Sequence, residues 1–160
     1  MVLPGTDETI SRIVGQYSAM LLKLASTRLP SAADAEDAVQ ETFLRLLSCR
    51  PSFRDAEHEK AWLIRTTLHR ASDIRRQASR AALPIEEAAL ENEAAPQAES
   101  DLLSAVRALP EKYSAVIHLY YYEGYSIQEI AKLLRLPAAT VGTRLSRGRD
   151  RLRQMLKEDV

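Results

Sequence analysis

The stretch GYSIQEIAKLLRLPAATVGTRLSRGRDRL, Gly124 to Leu152, decides how the chain is read. Ser126 and Glu129 stand in the S-x-x-E spacing of a capping box, in which hydroxyl and carboxylate satisfy two helix-start amides reciprocally. Ile127, Ile130, Ala131 and Leu134 then give a short apolar face, and Arg135-Leu136-Pro137 makes a turn. Beyond the turn Val141, Leu145, Gly148, Leu152 and Met155 recur at helical spacing, which leaves Thr140, Thr143, Arg144, Ser146, Arg147 and Arg151 away from the core. Two helices across a tight turn, the second one cationic on its free side, form a helix-turn-helix. In that geometry the early residues of the second helix reach base edges in the major groove while flanking cations hold phosphates.

Working outward, Ser100 is expected to cap a helix carrying Leu102, Leu103, Val106 and Leu109, and Pro110 to open the next at its first position. Tyr113, Val116, Ile117 and Tyr120 point one way in that helix, and Gly124 supplies its stop. The cluster Tyr120 to Tyr122 reads as packing plus surface. Before it, AALPIEEAALENEAAPQAES holds two prolines and few large apolar residues, so residues 81–99 read as a linker between one domain at 1–80 and another at 100–160. The two halves share no repeat.

Twenty-two basic residues balance 22 acidic ones in 160, but the charge is not spread evenly. From Lys60 to Arg80 all charges but Asp73 are basic, from Glu86 to Asp101 all are acidic, and from Arg135 to Lys157 all but Asp150 are basic. Two cationic modules therefore flank an acidic bridge.

The first module opens with Ile10, Ile13, Val14, Tyr17, Leu21 and Leu24 along one side of a helix that ends near Pro30. Ser31 and Asp34 start a second helix, with Ala35, Ala38, Val39, Phe43, Leu46 and Leu47 on its core side. Glu36, Asp37, Gln40, Glu41 and Arg45 make its outer face, which spacing alone reads as solvated surface. A third helix, from Glu59 to Arg80, places Ala61, Ile64, Leu68, Ala71 and Ile74 inward. Trp62, Arg65, His69, Ser72 and Arg76 form a second line along it, and cations beside an aromatic suit an unpaired nucleic acid strand. Trp62 is equally read as a core residue.

Cys49 is the lone cysteine, which excludes an internal disulfide; it reads as a small packing residue. His58, His69 and His118 show no ligand spacing, so no metal or other cofactor is expected. No apolar run approaches the ~18 residues of a membrane span, and the start lacks a secretory pattern, so a cytoplasmic chain without membrane insertion is expected.

These residues resemble the extracytoplasmic-function sigma factors of bacterial RNA polymerase, members of the sigma-70 family, along nearly the whole chain. DAEDAVQETFLRLL is similar to their region two helix that docks on core polymerase, AWLIRTTLHRASDIRRQ to the segment that melts and reads the minus-ten element, and the stretch from Leu102 to Leu152 to region four, which reads the minus-thirty-five element. The resemblance implies an all-α fold of two small helical domains, a region two bundle and a region four helix-turn-helix, joined by the acidic linker. It implies no catalytic site, with bacterial core RNA polymerase, promoter DNA and an anti-sigma factor as partners.

By the same resemblance Asp34, Glu36, Asp37, Gln40, Glu41 and Arg45 face polymerase, displacing the reading as solvated surface. Arg65, His69 and Arg76 lie towards the minus-ten strand, with Trp62 mainly structural. Thr140, Thr143, Arg144, Ser146, Arg147 and Arg151 lie towards the minus-thirty-five duplex, and Arg149 fits the basic pattern. The chain departs from the family at His69, where asparagine is frequent, and at Gly142, where lysine or arginine is. Two rival readings differ in class. A stand-alone dimeric helix-turn-helix regulator would leave Asp37 and Glu41 idle. An enzyme would have to use Ser126, His118 and Glu123, and Ser126 is better explained as a cap.

Overall fold

Caps and apolar stripes set most helix limits among the described residues. The computed structural model describes residues 7–80 and 97–158, which form helices and turns with no strand among them. The chain divides into two compact units, residues 1–82 and 83–160. Most of the expected linker, residues 81–96, lies outside the described residues.

The first unit holds α1 (Asp7–Ser26), α2 (Ala32–Cys49) and α3 (Ala56–Arg80), each packed on the other two. Ser31 caps α2, its hydroxyl accepting from the Asp34 amide at 3.3 Å. Asp55 caps α3, its carboxylate accepting from the His58 amide at 2.8 Å, which starts that helix three residues earlier than the sequence suggests. Ile13, Tyr17, Leu21 and Leu24 meet Ala35, Ala38, Val39 and Leu46 and also Leu63, Ile64, Leu68 and Ala71 in one core. Burial of each such leucine or isoleucine stabilises the unit by about 1.5–3 kcal/mol.

Three polar links tie the helices around that core. Arg12 forks onto Glu59, with Nη1 3.1 Å from Oε1 and Nη2 2.7 Å from Oε2, and the fork ties α1 to α3. Burial beside Glu59 pushes the Tyr17 phenol up from its ordinary value. Thr42 donates to the Ala38 carbonyl at 2.8 Å and lies 2.9 Å from the Thr67 hydroxyl. The single Thr42 proton being used, Thr67 is the donor of that pair. Arg28 donates to the Leu68 carbonyl at 3.2 Å and to the Ser72 hydroxyl.

Several sequence expectations are corrected here. Leu47 is 41% exposed and Phe43 half-buried, while Thr42 occupies the α2 core position that an apolar count passes over. Cys49 is exposed, not a packing residue, because α2 ends there on Arg50 in the left-handed region. Ser72, grouped with the strand-facing line, is buried under Arg28, and Ala61, Trp62 and Ile74 are half-buried.

The second unit contains α4 (Gln97–Ala108), α5 (Glu111–Ile117), α6 (Ile127–Leu134) and α7 (Ala138–Glu158). The backbone is already helical at Gln97, so Ser100 lies within α4 and is not its cap. Pro110 sits one position before α5, with φ −53° and ψ 146°, and its carbonyl accepts from the Tyr113 and Ser114 amides. α5 does not stop at Ile117: it widens into a π-helical turn over His118–Tyr122, in which the Glu123 amide reaches back to the His118 carbonyl at 3.2 Å. Gly124, with φ 75°, then turns the chain, as only glycine does without strain.

Val106, Leu109, Tyr113, Val116, Ile117, Leu119, Ile130, Leu133, Val141 and Leu145 form the core of this unit. Gly148 lets α7 lie close on α5. A Cβ there would stand 3.1 Å from Cγ1 of Ile117 and 3.3 Å from Cβ of Tyr113.

Candidate nucleic-acid interface

The helix-turn-helix is built by local bonds. The Glu129 amide donates to the Ser126 hydroxyl at 3.1 Å and the Ser126 amide to the Glu129 carboxylate at 2.9 Å, which closes both arms of the capping box. α6 ends on Arg135 in the left-handed region, φ 59°, with the Leu136 amide bonded to the Ala131 carbonyl at 2.9 Å. The Pro137 carbonyl accepts from Thr140 and Val141 at 3.0 and 3.2 Å and starts α7.

On α7, Val141, Leu145 and Gly148 are buried. Thr143, Ser146, Arg147 and Arg151 are exposed, and Thr140 and Arg144 half-buried. Arg144 and Arg147 have no carboxylate in ion-pair range among the described residues, so each keeps its charge for an external anion. Arg151 lies over the Tyr113 ring, 5.2 Å from its centroid, and is thereby partly held against its own unit. Arg149 donates to the Tyr121 hydroxyl at 3.0 Å. Gly142 has nothing within 4 Å of a Cβ built on it and no positive φ, so neither packing nor backbone requires glycine there.

In the first unit the residues expected to lie towards a strand are arranged differently. His69 is exposed and Arg65 half-buried. Arg76 is exposed but donates to Asp73 at 2.7 Å, and that bond holds the Asp73 carboxyl below its ordinary value. Trp62 meets Phe53 edge-on at 5.9 Å, and Phe53 in turn meets His58 at 5.4 Å. His58 accepts the Arg54 amide on Nδ1 at 3.1 Å, which ties this aromatic group to the loop before α3. Sequence periodicity passed over Phe53 because it stands outside any helix.

The exposed side of α2 carries Glu36, Asp37, Gln40 and Arg45, with Asp34 and Glu41 half-buried. Glu41 accepts from Arg70 of α3, so it is committed inside the unit, whereas Glu36 and Asp37 make no ion pair among the described residues. Leu44, 62% exposed, and Leu47 lie at successive turns after Gln40 and add an apolar strip to the acidic face. The signal was present in the spacing: Leu47 falls about 120° round the helix from Ala35. Among the described residues no group of His, Cys, Asp or Glu is arranged to hold a metal ion, and no helix is long and apolar enough to cross a membrane.

Comparison with known proteins agrees with this arrangement. Residues 13–81 match Sigma-70 region 2, and residues 99–152 match Sigma-70, region 4. The chain is 29% identical to the ECF RNA polymerase sigma factor SigW of Bacillus subtilis, across 98% of this chain and 94% of that protein. It is 31% identical to SigE of Mycolicibacterium smegmatis, another ECF RNA polymerase sigma factor, across 96% of this chain and 62% of that longer protein. The fold is similar to that of the sigma factor RpoE in its complex with the anti-sigma factor NepR from Bartonella quintana, with TM-score 0.76 and 22% identity over 96% of this chain and 99% of that one. The two regions, in this order and on these two helical units, show that the chain belongs to the sigma-70 family as an extracytoplasmic-function RNA polymerase sigma factor.

Proposed function

We propose that this sigma factor acts as a cytoplasmic, non-catalytic initiation subunit whose first unit docks on core RNA polymerase through α2 and whose second unit grips the minus-thirty-five duplex through α7. Glu36, Asp37 and Gln40 present uncommitted polar groups to a basic partner, Leu44 and Leu47 supply apolar area beside them, and Asp34, Glu41 and Arg45 border that face. Arg65, His69 and Arg76 face the opened minus-ten strand, where an unstacked base is captured at the expense of a few kcal/mol recovered from the surrounding contacts. Thr140, Thr143, Arg144, Ser146, Arg147 and Arg151 serve the upstream duplex. An anti-sigma factor that covers the α2 face or α7 would silence the chain; the structural relative was itself solved in complex with the anti-sigma factor NepR.

The observation that carries this reading is the exposed α2 face, where Glu36 and Asp37 make no ion pair among the described residues and two leucines are exposed, in a chain that also holds a cationic helix-turn-helix. A stand-alone regulator has no use for that face. Run-off transcription tests it: bacterial core polymerase plus the full chain is expected to start specific transcripts on a genomic fragment pool, and a chain carrying Asp37→Arg and Leu47→Ala is expected to start none. Failure of the unaltered chain to co-purify with core polymerase or to yield a specific start overturns the reading.

A further inference from the structure

Four charged side chains pass contacts from α2 round to the far side of α3. Glu41 of α2 accepts from Nε of Arg70, whose Nη1 lies 3.3 Å from Oδ2 of Asp73. The other oxygen of that carboxylate, Oδ1, accepts from Nη2 of Arg76 at 2.7 Å. Arg70 is thus divided between two carboxylates, and Asp73 between two guanidiniums. None of the four makes a further ion pair among the described residues. The Arg76 bond, and more weakly the charge of Arg70, both lower the Asp73 carboxyl, as sharing requires. Beneath these pairs the Thr42–Thr67 bond holds the same two helices in register.

Helical winding shows where the contacts lead. On α3, Trp62, Arg65, His69 and Arg76 fall within an arc of about 60°, with Asp73 about 60° from Arg76 and Arg70 about 120° from it, on the side that meets α2. At the other end Glu41 lies about 40° round α2 from Asp37, and its side chain is still 42% exposed. One end of the series therefore borders the polar face of α2, and the other stands in the line of residues given to the minus-ten strand.

Exposed ion pairs of this kind are individually weak, so a modest pull at one end redistributes the rest. The redistribution has a direction. A cation set against Glu41 draws that carboxylate from Arg70, Arg70 closes on Asp73, and Asp73 loosens its hold on Arg76. The Arg76 charge is then open to an external anion.

We propose that Arg70 is a positioning residue that couples polymerase docking on α2 to strand capture on α3, setting through Asp73 whether Arg76 is held by the protein or offered to a phosphate of the minus-ten strand. The proposal rests on the reading of α2 and α3 given above and adds Arg70 and Asp73, which have no part in it.

Two measurements test it. In the full chain alone, NMR follows rotation of the Arg76 guanidinium about its Nε–Cζ bond. Glu41→Gln is expected to quicken that rotation about threefold, and to leave it unchanged once Arg70 is replaced by Met. In the holoenzyme, affinity is measured for a single-stranded oligonucleotide that the unaltered holoenzyme enriches from a random pool. Arg76→Ala is expected to weaken binding about tenfold and Arg70→Met about threefold. The two together are expected to cost no more than Arg76→Ala alone, where independent sites would give about thirtyfold. Arg70→Lys, which keeps the charge but lacks the planar fork, is expected to follow Arg70→Met in both measurements. If Glu41→Gln leaves the rotation unmoved, or quickens it equally without Arg70, or if the two losses in the holoenzyme multiply, the coupling is overturned. If the holoenzyme enriches no strand, or Arg76→Ala binds as the unaltered chain does, the minus-ten role of α3 is itself overturned. Far-ultraviolet dichroism on each variant establishes that the fold is retained.

Discussion

The two units hold their arginines in opposite ways. In the first, Arg12 is tied to Glu59, Arg70 to Glu41 and Asp73, and Arg76 to Asp73, so these three charges are neutralised internally. In the second, Arg149 rests on a phenol and Arg151 on an aromatic face, Arg144 and Arg147 make no ion pair among the described residues, and Arg153 pairs with Asp150. The first unit uses these cations as architecture and leaves aromatic rings and a few exposed side chains beside them. The second leaves the charges of Arg144 and Arg147 open to an external anion. A count of basic residues in the sequence treats the two as alike, and the structure shows that they are not.

The sharpest way to break this comparison is to remove charge from each unit and read the salt dependence. Arg144→Ala with Arg147→Ala is expected to weaken duplex binding about 100-fold and to lower the salt slope by about two, because both charges are uncompensated. Arg76→Ala in the first unit should change the slope by well under one. Equal slopes would erase the distinction.

Glu59→Gln tests the architectural side. It keeps the shape but breaks the Arg12 fork, and urea unfolding is expected to show a loss of about 2 kcal/mol from the first unit. Duplex binding by the second unit should not move. A smaller effect, in the opposite direction, is expected from Gly142→Arg: about 0.7–1 kcal/mol gained in helix stability, seen as a raised Tm, together with a salt slope steeper by about one. Ser126→Ala is expected to cost about 1 kcal/mol through loss of the capping box.

The smallest effect is the most local. Asp73 titrates below its ordinary value because Arg76 donates to it, so its contribution to stability is present above the unfolded carboxyl pKa and is lost as pH falls through the lower folded value. A carboxyl-carbon NMR titration should find that depressed midpoint, and Arg76→Ala should move it back up. An unmoved midpoint would show that Arg76 is free in solution, closer to the arginines of α7.

Much of the fold was legible because it rests on local chemistry. The Ser126–Glu129 box, the Ser31 cap and the stripes through Leu21 and Val141 follow from spacing alone. What was not legible depends on partners far along the chain. Glu59 is buried only because Arg12 forks onto it, Thr42 because Thr67 and the Ala38 carbonyl satisfy it, and Ser72 because Arg28 covers it. Of the candidate sites, the basic side of α7 and the acidic side of α2 could be read from the sequence. In the apolar strip, Leu47 was misread as inward beside Leu46 and Leu44 was assigned to neither side, and the Tyr121–Arg149 contact spans 28 positions, beyond any periodic pattern.

The wide turn at His118–Tyr122 amounts to a helix with one residue too many. Excising one of those five would restore ordinary winding and swing whatever follows by about 100°, carrying the phenol away from the guanidinium. Chain length at this point therefore works as a setting, one that tolerates exchange of side chains far more readily than the loss of a single link.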